Sequence, residues 1–190
     1  MHSIITKLLG GVACVAAVSA AAVSAAAVYS GAAVAVPTSA STTGGATAYS
    51  VPHCTNADLH ARYAYSDSGA GSVYGWIRLR NVSDHACVTG GYGGLSYVGD
   101  GNGTQIGHAA IRIQKWAVKS YVVEPGQRLV SPIQLVRASN YPRATCRPAH
   151  VDGFRVYVPN AFKSQFVPHQ TTGCRNTDVH LIYQKPYRRG

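Results

Sequence analysis

Alternating apolar and polar side chains are the clearest feature of this sequence, and they predict short β-strands. In residues 74–80, Ile77 and Leu79 alternate with polar or aromatic residues. Because successive side chains of a strand point to opposite faces, Ile77 and Leu79 would be buried and their neighbours exposed. This segment is therefore predicted to be a half-buried strand with a polar outer face.

Further segments show strand-like patterns separated by turn residues. They are residues 60–65, 95–98, 106–113, 118–123, 129–136, 154–158 and 179–183. The glycine-containing stretch 66–71 predicts a hairpin between the first of these strands and residues 74–80, and Glu-Pro-Gly-Gln at 124–127 predicts a tight turn. No segment of the sequence keeps a helical apolar period over three turns. About eight short strands predict an all-β fold, an antiparallel, immunoglobulin-like β-sandwich.

Residues 1–35 are predicted to be a secretory signal peptide. Lys7 precedes an apolar run rich in Ala and Val, and no Asp, Glu, Lys or Arg occurs between Lys7 and Asp58. Small residues allow cleavage after residue 27 or after residue 35. An uncleaved membrane anchor is the alternative, although alanine is only weakly apolar. We therefore expect contact with a membrane only through an uncleaved signal segment.

Residues 36–53 separate the signal peptide from the predicted β-sandwich domain, residues 54–190. They are rich in Ser, Thr, Ala and Gly, and they contain no Asp, Glu, Lys or Arg. They also lack any hydrophobic period. Such a composition predicts a flexible spacer.

Four cysteines follow the predicted signal peptide, namely Cys54, Cys87, Cys146 and Cys174. An even number of cysteines in an exported domain predicts two disulfides, for which three pairings exist. We favour Cys54 with Cys87 and Cys146 with Cys174, because each bridge then stays local to one half of the domain. Zinc is not expected here, because the sequence has no Cys-x-x-Cys or His-x-x-x-His spacing.

The chain is strongly basic, with 17 Lys and Arg against 7 Asp and Glu and a formal net charge of +10 at pH 7. This charge favours anionic partners, although nucleic acid is not expected for an exported protein. Guanidinium groups pair with carboxylate or phosphate, and neighbouring aromatic rings can stack on ligands. The candidate binding face consists of Tyr74, Trp76, Arg78 and Arg80, together with Arg62 on the hairpin partner. The tail, residues 185–190, adds charge and is expected to fray.

No motif in the sequence predicts catalysis or a cofactor. The glycine-rich residues 90–94 lack the Lys and the following helix of a phosphate-binding loop, so we interpret them as a turn or bulge. Residues 100–104 begin like a calcium loop, but the required Gly and bidentate Glu are missing. The pattern Cys-x-Asn-x-Asp-x-His occurs at 54–60 and at 174–180. We interpret it as side-chain capping of backbone amides, and a site for a metal ion between the two copies is the less favoured alternative.

Several short motifs occur in a fixed order around the cysteines. They are Ile-x-Leu-x-Asn at 77–81, Gly-Tyr-Gly-Gly at 91–94, Glu-Pro-Gly at 124–126 and Phe-x-Val-Tyr-Val-Pro at 154–159. With these motifs and cysteines, residues 54–184 resemble an actinobacterial secreted family known as domain of unknown function 4232. The resemblance implies an exported β-sandwich and supplies no catalytic residues.

Together these features predict a secreted or cell-envelope-associated, non-catalytic β-sandwich without cofactor or metal. Its expected partner is an anionic cell-wall polymer or another anionic surface component, bound through the basic, aromatic face. One alternative is an extracellular protein-interaction or inhibitor module that uses residues 90–94. Another is an unrecognised hydrolase, which would need converging polar groups in a pocket.

Overall fold

The structure, a computed structural model, describes residues 50–190. The predicted signal peptide and most of the predicted spacer lie outside the described residues. The described part contains twelve β-strands and two short helices. The strands are β1 (Leu59–Gly69), β2 (Ser72–Asn81), β3 (Cys87–Gly90), β4 (Gly94–Gly99), β5 (Thr104–Ile106), β6 (Ile111–Arg112), β7 (Ser120–Val123), β8 (Arg128–Val136), β9 (Pro148–Tyr157), β10 (Ser164–Cys174), β11 (Ile182–Gln184) and β12 (Arg188–Arg189). A 3-10 helix covers Ala138–Asn140, and helix α1 covers Arg143–Cys146.

Strands β1 and β2 form the predicted hairpin. Ala70 and Gly71 make the turn, with φ angles of 44° and 72°. Positive φ at both central residues is the geometry of the two-residue turns that match the twist of a hairpin. Ile77 and Leu79 are 0% exposed, so the prediction that they face the core is confirmed.

The strands form two main sheets and one two-stranded ribbon. The first sheet has the order β1-β2-β8-β11-β6, and β12 pairs with another part of β8. The second sheet has the order β10-β9-β4-β5, and the ribbon pairs β3 with β7. Apart from the parallel pair of β6 and β11, the pairings between these strands are antiparallel. The predicted all-β, antiparallel fold is confirmed, and several of the additional strands have only two to four residues.

The hydrophobic core lies between the two main sheets. The first sheet contributes Ile77, Leu79 and Leu129, and the second contributes Val151, Phe154 and Val156. Each of these side chains is at most 1% exposed, and full burial of one stabilises the fold by about 1.5–3 kcal/mol. The described residues, 50–190, belong to one compact unit, which contains the predicted domain of residues 54–190.

Both favoured disulfide pairings are confirmed. Cys54 is bonded to Cys87, which ties the segment before β1 to β3. Cys146 is bonded to Cys174, which ties the end of α1 to the end of β10. Disulfides persist in oxidising compartments and are typical of extracellular proteins. Within residues 50–190, none of the helices has the length and apolar character needed to cross a membrane.

Some strand predictions differ from the structure. The predicted strand 106–113 is broken between β5 and β6, because Gly107 adopts a φ of 70°. A Cβ atom at Gly107 would lie 2.3 Å from the carbonyl oxygen of Cys174, so the backbones pass too closely for a regular strand. Strands β3, β10 and β12 were not predicted. Strand β10 is difficult to predict from its sequence, because Pro168 has no backbone N–H to donate to a neighbouring strand. Pro168 also lies at the start of a register shift that ends at Thr171.

The expectation that residues 185–190 fray is wrong. Tyr187 is 1% exposed, and its backbone amide donates to the carbonyl of Gly91 at 2.7 Å. Arg188 and Arg189 form β12 against β8. The favourable free energy of burying the Tyr187 side chain therefore offsets the conformational entropy that is lost when residues 185–190 become ordered.

Gln165 of β10 joins the edges of the two main sheets. Its Oε1 accepts a hydrogen bond from the backbone amide of Ala61 at 2.9 Å, and its Nε2 donates to the carbonyl of Leu59. The side chain thus satisfies the free edge of β1. Gln165→Ala is expected to lower the free energy of unfolding by about 1–3 kcal/mol, because the amide of Ala61 would lose its partner at a residue only 3% exposed. Urea denaturation followed by circular dichroism measures the loss.

Gln105→Ala is the matched control for this substitution. Gln105 also donates a side-chain hydrogen bond to a backbone carbonyl, that of Gly107 at 3.0 Å, but it is exposed on β5. Its replacement is expected to change the free energy of unfolding by less than about 0.5 kcal/mol, as surface substitutions usually do. Equal losses for the two variants would contradict the bridging role of Gln165.

Candidate functional site

The outer face of β1 and β2 carries the five residues proposed from the sequence. Tyr74, Arg78 and Arg80 are exposed on β2, and Trp76 is half-buried. Arg62 of β1 lies directly opposite Arg78 in the antiparallel register. Because alternate residues of a strand share a face, all five side chains lie on one side of the first sheet.

Two further arginines join this side from strands that are distant in sequence. Arg128 of β8 lies opposite Arg80. Arg188 of β12 lies opposite Val130, which is the β8 partner of Arg78. One row across the sheet therefore contains Arg62, Arg78, Val130 and Arg188, and the next row contains His60, Arg80 and Arg128.

We call the six exposed basic residues of these rows the arginine face: His60, Arg62, Arg78, Arg80, Arg128 and Arg188. All of them except Arg188 line a shallow groove of about 510 Å³. Neighbouring strands are about 4.8 Å apart, and alternate residues along one strand are about 6.8 Å apart. The five arginines of the arginine face thus present a cluster of positive groups to solvent.

The guanidinium groups of the arginine face have no carboxylate within 4.0 Å among residues 50–190. The ion pairs in that part of the chain join His85 to Asp58 and Asp84, His150 to Asp152, and Arg175 to Asp100. Arg80 Nε donates instead to a neutral acceptor, the carbonyl of Gly126, at 3.3 Å. Like charges directly opposite each other in a sheet are destabilising. A bound anion would relieve this repulsion.

Trp76 packs against an arginine and is not an open stacking surface. The Arg188 Cζ lies 5.5 Å from the centroid of the Trp76 ring. A cation–π contact of this kind contributes about 0.5–1 kcal/mol at an exposed site. The contact holds Arg188 over the sheet, so Trp76 contributes to the arginine face by positioning a guanidinium group.

A smaller groove borders the arginine face at its aromatic end. It has a volume of about 220 Å³ and is lined by Tyr74, Trp76, Tyr183 and Lys185, among others. Tyr74 is 39% exposed and is the accessible aromatic side chain of the predicted face. This end of the site therefore offers an aromatic surface beside the positive groups.

His60, Arg128 and Arg188 belong to the arginine face but were not predicted. The alternation of buried and exposed residues predicts that both arginines are exposed, because Arg128 precedes the buried Leu129 and Arg188 follows the buried Tyr187. Alternation assigns a side chain to a face of its own strand. It does not reveal which strands are neighbours, so these arginines could not be placed beside Arg78 and Arg80.

The glycine-rich residues 90–94 are packed within the fold, where they run from the end of β3 to the start of β4, and Gly91 forms an isolated bridge with Tyr187. The amide of Gly91 donates to the carbonyl of Lys119 at 3.2 Å. A Cβ atom at Gly93 would lie 2.3 Å from the carbonyl oxygen of Tyr157. Glycine is needed there because the backbones approach closely. An inhibitor module based on this segment would have little exposed surface to use.

The repeated Cys-x-Asn-x-Asp pattern caps backbone amides at both of its copies, as interpreted from the sequence. Asp58 Oδ2 accepts hydrogen bonds from the amide and the hydroxyl of Thr55, each at 2.7 Å. Asn176 Oδ1 accepts one from the amide of Asp178 at 3.1 Å. Burial alone would raise the pKa of Asp58, but the Thr55 hydrogen bonds and His85 hold that pKa below its ordinary value. Within residues 50–190, no group of three His, Cys, Asp or Glu side chains is arranged to hold a metal ion.

Comparisons with known proteins identify a family. No curated protein and no solved structure matches the chain. The family model described as Domain of unknown function (DUF4232) matches residues 54–186. This range contains both disulfides and every residue of the arginine face except Arg188. The chain therefore belongs to the DUF4232 family.

Proposed function

We propose that this protein is a non-catalytic, exported β-sandwich that binds an anionic polymer of the cell envelope through the arginine face. The observation that carries the proposal is the pair of cross-strand rows of basic residues, which have no carboxylate partner within residues 50–190. Guanidinium groups bind carboxylate and phosphate through two parallel N–H donors, which makes these contacts strong and directional. A polymer with an acid group on each repeat would engage several of them together.

The affinity of the arginine face for such a polymer is expected to come from several ion pairs formed together. A single exposed ion pair contributes only about 0–1 kcal/mol. Several pairs with one polymer strengthen each other, because each contact raises the effective concentration of the remaining acid groups. The aromatic surface of Tyr74 and Tyr183 in the neighbouring groove would pack against the rings of a sugar-containing polymer.

Export would bring the arginine face into contact with such polymers. The predicted signal peptide supports this location, as do the two disulfides, which are typical of proteins in oxidising compartments. The formal net charge of +10 adds a long-range attraction to a negatively charged envelope. This attraction weakens as the ionic strength rises.

Sedimentation with purified cell walls tests the proposal. The protein is mixed with walls over a NaCl series from about 0.02 M to about 0.5 M, in which the Debye length falls from about 20 Å to about 4 Å. Binding is expected at low salt and is expected to disappear at high salt. Walls depleted of phosphate-containing polymers and walls with amidated carboxylates distinguish the two kinds of acid group. A protein that stays in solution with untreated walls at the lowest salt would refute the proposal.

The first variant for this experiment removes three charges from the centre of the arginine face. It carries Arg78→Gln, Arg80→Gln and Arg128→Gln. Because these exposed side chains contact no buried hydrogen-bonding group among residues 50–190, the variant is expected to fold normally. Its affinity for the walls at low salt is expected to fall at least about tenfold.

The control variant removes three charges from exposed positions that do not line the groove. It carries Lys115→Gln, Arg147→Gln and Lys163→Gln. Its affinity is expected to stay within about twofold of the unmodified protein, because only screened long-range attraction is lost. An equal loss for both variants would mean that net charge alone drives binding, and it would contradict the assignment to the arginine face.

A further inference from the structure

A cleft with a volume of about 460 Å³ opens between the two main sheets. Strands β2 and β8 line it from the first sheet, and β4 and β10 line it from the second. The cleft and the groove of the arginine face share no lining residue. Its volume falls within the range of sites that bind small organic molecules, about 300–1,000 Å³.

One wall of the cleft is aromatic. Tyr97 of β4 and His169 of β10 line it. The His169 ring stacks on Phe154 with a centroid distance of 4.8 Å and an interplanar angle of 11°, and Tyr63 packs against His169 at 4.5 Å. Because Phe154 belongs to the core, this wall is held rigidly.

His169 lies at an irregular position of its strand. The register of β10 shifts between Pro168 and Thr171, which is a β-bulge or similar irregularity. Bulges redirect side chains and are common beside binding sites. Burial lowers the pKa of His169 and raises the pKa of Tyr97, so the imidazole is neutral and the phenol is protonated at neutral pH. Both rings can then form hydrogen bonds without carrying a charge.

Two arginines make the opening of the cleft positive. Arg137 precedes the 3-10 helix and Arg143 begins α1, and both are exposed and line the cleft. Neither forms an ion pair within residues 50–190, and no Asp or Glu lines the cleft. Val73 and Leu135 contribute apolar surface opposite the aromatic wall. The cleft thus combines a place for a flat ring with a place for an acid group.

We infer that the cleft binds a small organic anion with a planar ring, such as an aromatic carboxylate. The ring would lie against Tyr97 and His169, and the carboxylate would pair with Arg137 or Arg143. The inference rests on the residues of the cleft and is independent of the function proposed for the arginine face.

Titration of the disulfide-bonded protein with indole-3-acetate tests this inference. Nuclear magnetic resonance spectra are expected to show saturable shifts of the His169 and Tyr97 ring signals, with a Kd of about 1 mM or tighter. The neutral counterpart indole-3-acetamide is expected to bind at least about tenfold more weakly, because it cannot form a charge-assisted pair with arginine. Absence of saturable shifts, or equal binding of the acid and the amide, would overturn the inference.

Variants identify the residues that bind the probe. The double variant Arg137→Gln and Arg143→Gln is expected to weaken indole-3-acetate binding about tenfold. Ser139→Trp, at an exposed position that lines the cleft, is expected to block it without disturbing the core. The double variant Arg78→Gln and Arg80→Gln, on the arginine face, is expected to bind the probe normally. Normal binding by the first two variants would also overturn the inference.

Discussion

Replacing Asn81 by alanine is expected to lower the free energy of unfolding by about 3 kcal/mol. Asn81 ends β2 and is 1% exposed. Its Nδ2 donates to the carbonyls of His85 at 2.9 Å and Val123 at 2.8 Å. Its Oδ1 accepts from the amide of Ser83 at 2.9 Å and from the Ser83 hydroxyl at 2.7 Å. The truncated side chain would leave buried groups without these partners, and chemical denaturation measures the cost.

Asn102→Ala is a close control for this prediction. Asn102 Oδ1 accepts from the amide of Thr104 at 3.0 Å and from the Thr104 hydroxyl at 2.7 Å, which is the same local arrangement that Asn81 makes with Ser83. Asn102 is exposed, and in the part of the chain that the structure describes its side chain forms no hydrogen bond to a distant strand. Its replacement is expected to cost less than about 1 kcal/mol. If the two variants lost the same stability, the long-range bonds of Asn81 would not be what stabilises the fold.

The position of Asn81 connects this stability to the arginine face. Its backbone amide bonds to the carbonyl of Gln127, and its carbonyl accepts from the amide of Gly126. These bonds attach the end of β2 to the turn before β8. This turn also positions Arg80, whose Nε donates a hydrogen bond to the Gly126 carbonyl. Stabilising this corner therefore also fixes the spacing between the arginines of β2 and those of β8.

The β1–β2 hairpin was predictable because its determinants are local. The two-residue period of apolar side chains predicts that Ile77 and Leu79 face the core and that Arg78 faces solvent. This prediction depends only on the residues of the strand itself. A glycine-containing connection between two alternating segments then predicts antiparallel pairing, which placed Arg62 on the same side as Arg78. The disulfides were predictable for the same reason, since each one joins cysteines of one half of the domain.

The remaining arginines depend on pairings between distant strands. Arg128 reaches the arginine face because β8 lies beside β2, and Arg188 reaches it because β12 lies beside β8. The alternation of apolar and polar residues within each strand does not predict either pairing. Residues 185–190 were expected to fray, but Tyr187 is buried there and β12 pairs with β8. Strand order is set by how the whole core packs, and a single sequence does not display it.

The cleft was even less accessible to prediction from the sequence. Its aromatic wall requires His169 of β10. This strand is not predicted from the sequence, because it contains Pro168 and a register shift. Its rim requires Arg137 and Arg143, which lie in short segments without a hydrophobic period. A space between two sheets is a property of their relative packing. Only the three-dimensional arrangement brings these residues together.

Removing the Cys146–Cys174 disulfide with Cys146→Ala and Cys174→Ala is expected to lower the free energy of unfolding by about 3–4 kcal/mol. The bridge closes a loop between cysteines separated by 28 residues, and in the chain-entropy model a loop of this length accounts for that amount. The Cys54–Cys87 bridge, with a separation of 33 residues, is expected to contribute nearly the same. Denaturation of the two double variants and of the unmodified protein measures both contributions.

The two disulfide variants are expected to differ in ligand binding although they match in stability. Helix α1 has only four residues and would be unstable alone, so the Cys146–Cys174 bridge holds it and the Arg143 side chain at the cleft. The variant without this bridge is expected to bind indole-3-acetate about tenfold more weakly at temperatures where it remains folded. The variant without the Cys54–Cys87 bridge provides the control, because its stability falls equally while the cleft keeps its rim. Equal weakening of probe binding in both variants would attribute the effect to general destabilisation and would contradict a local role for the second disulfide.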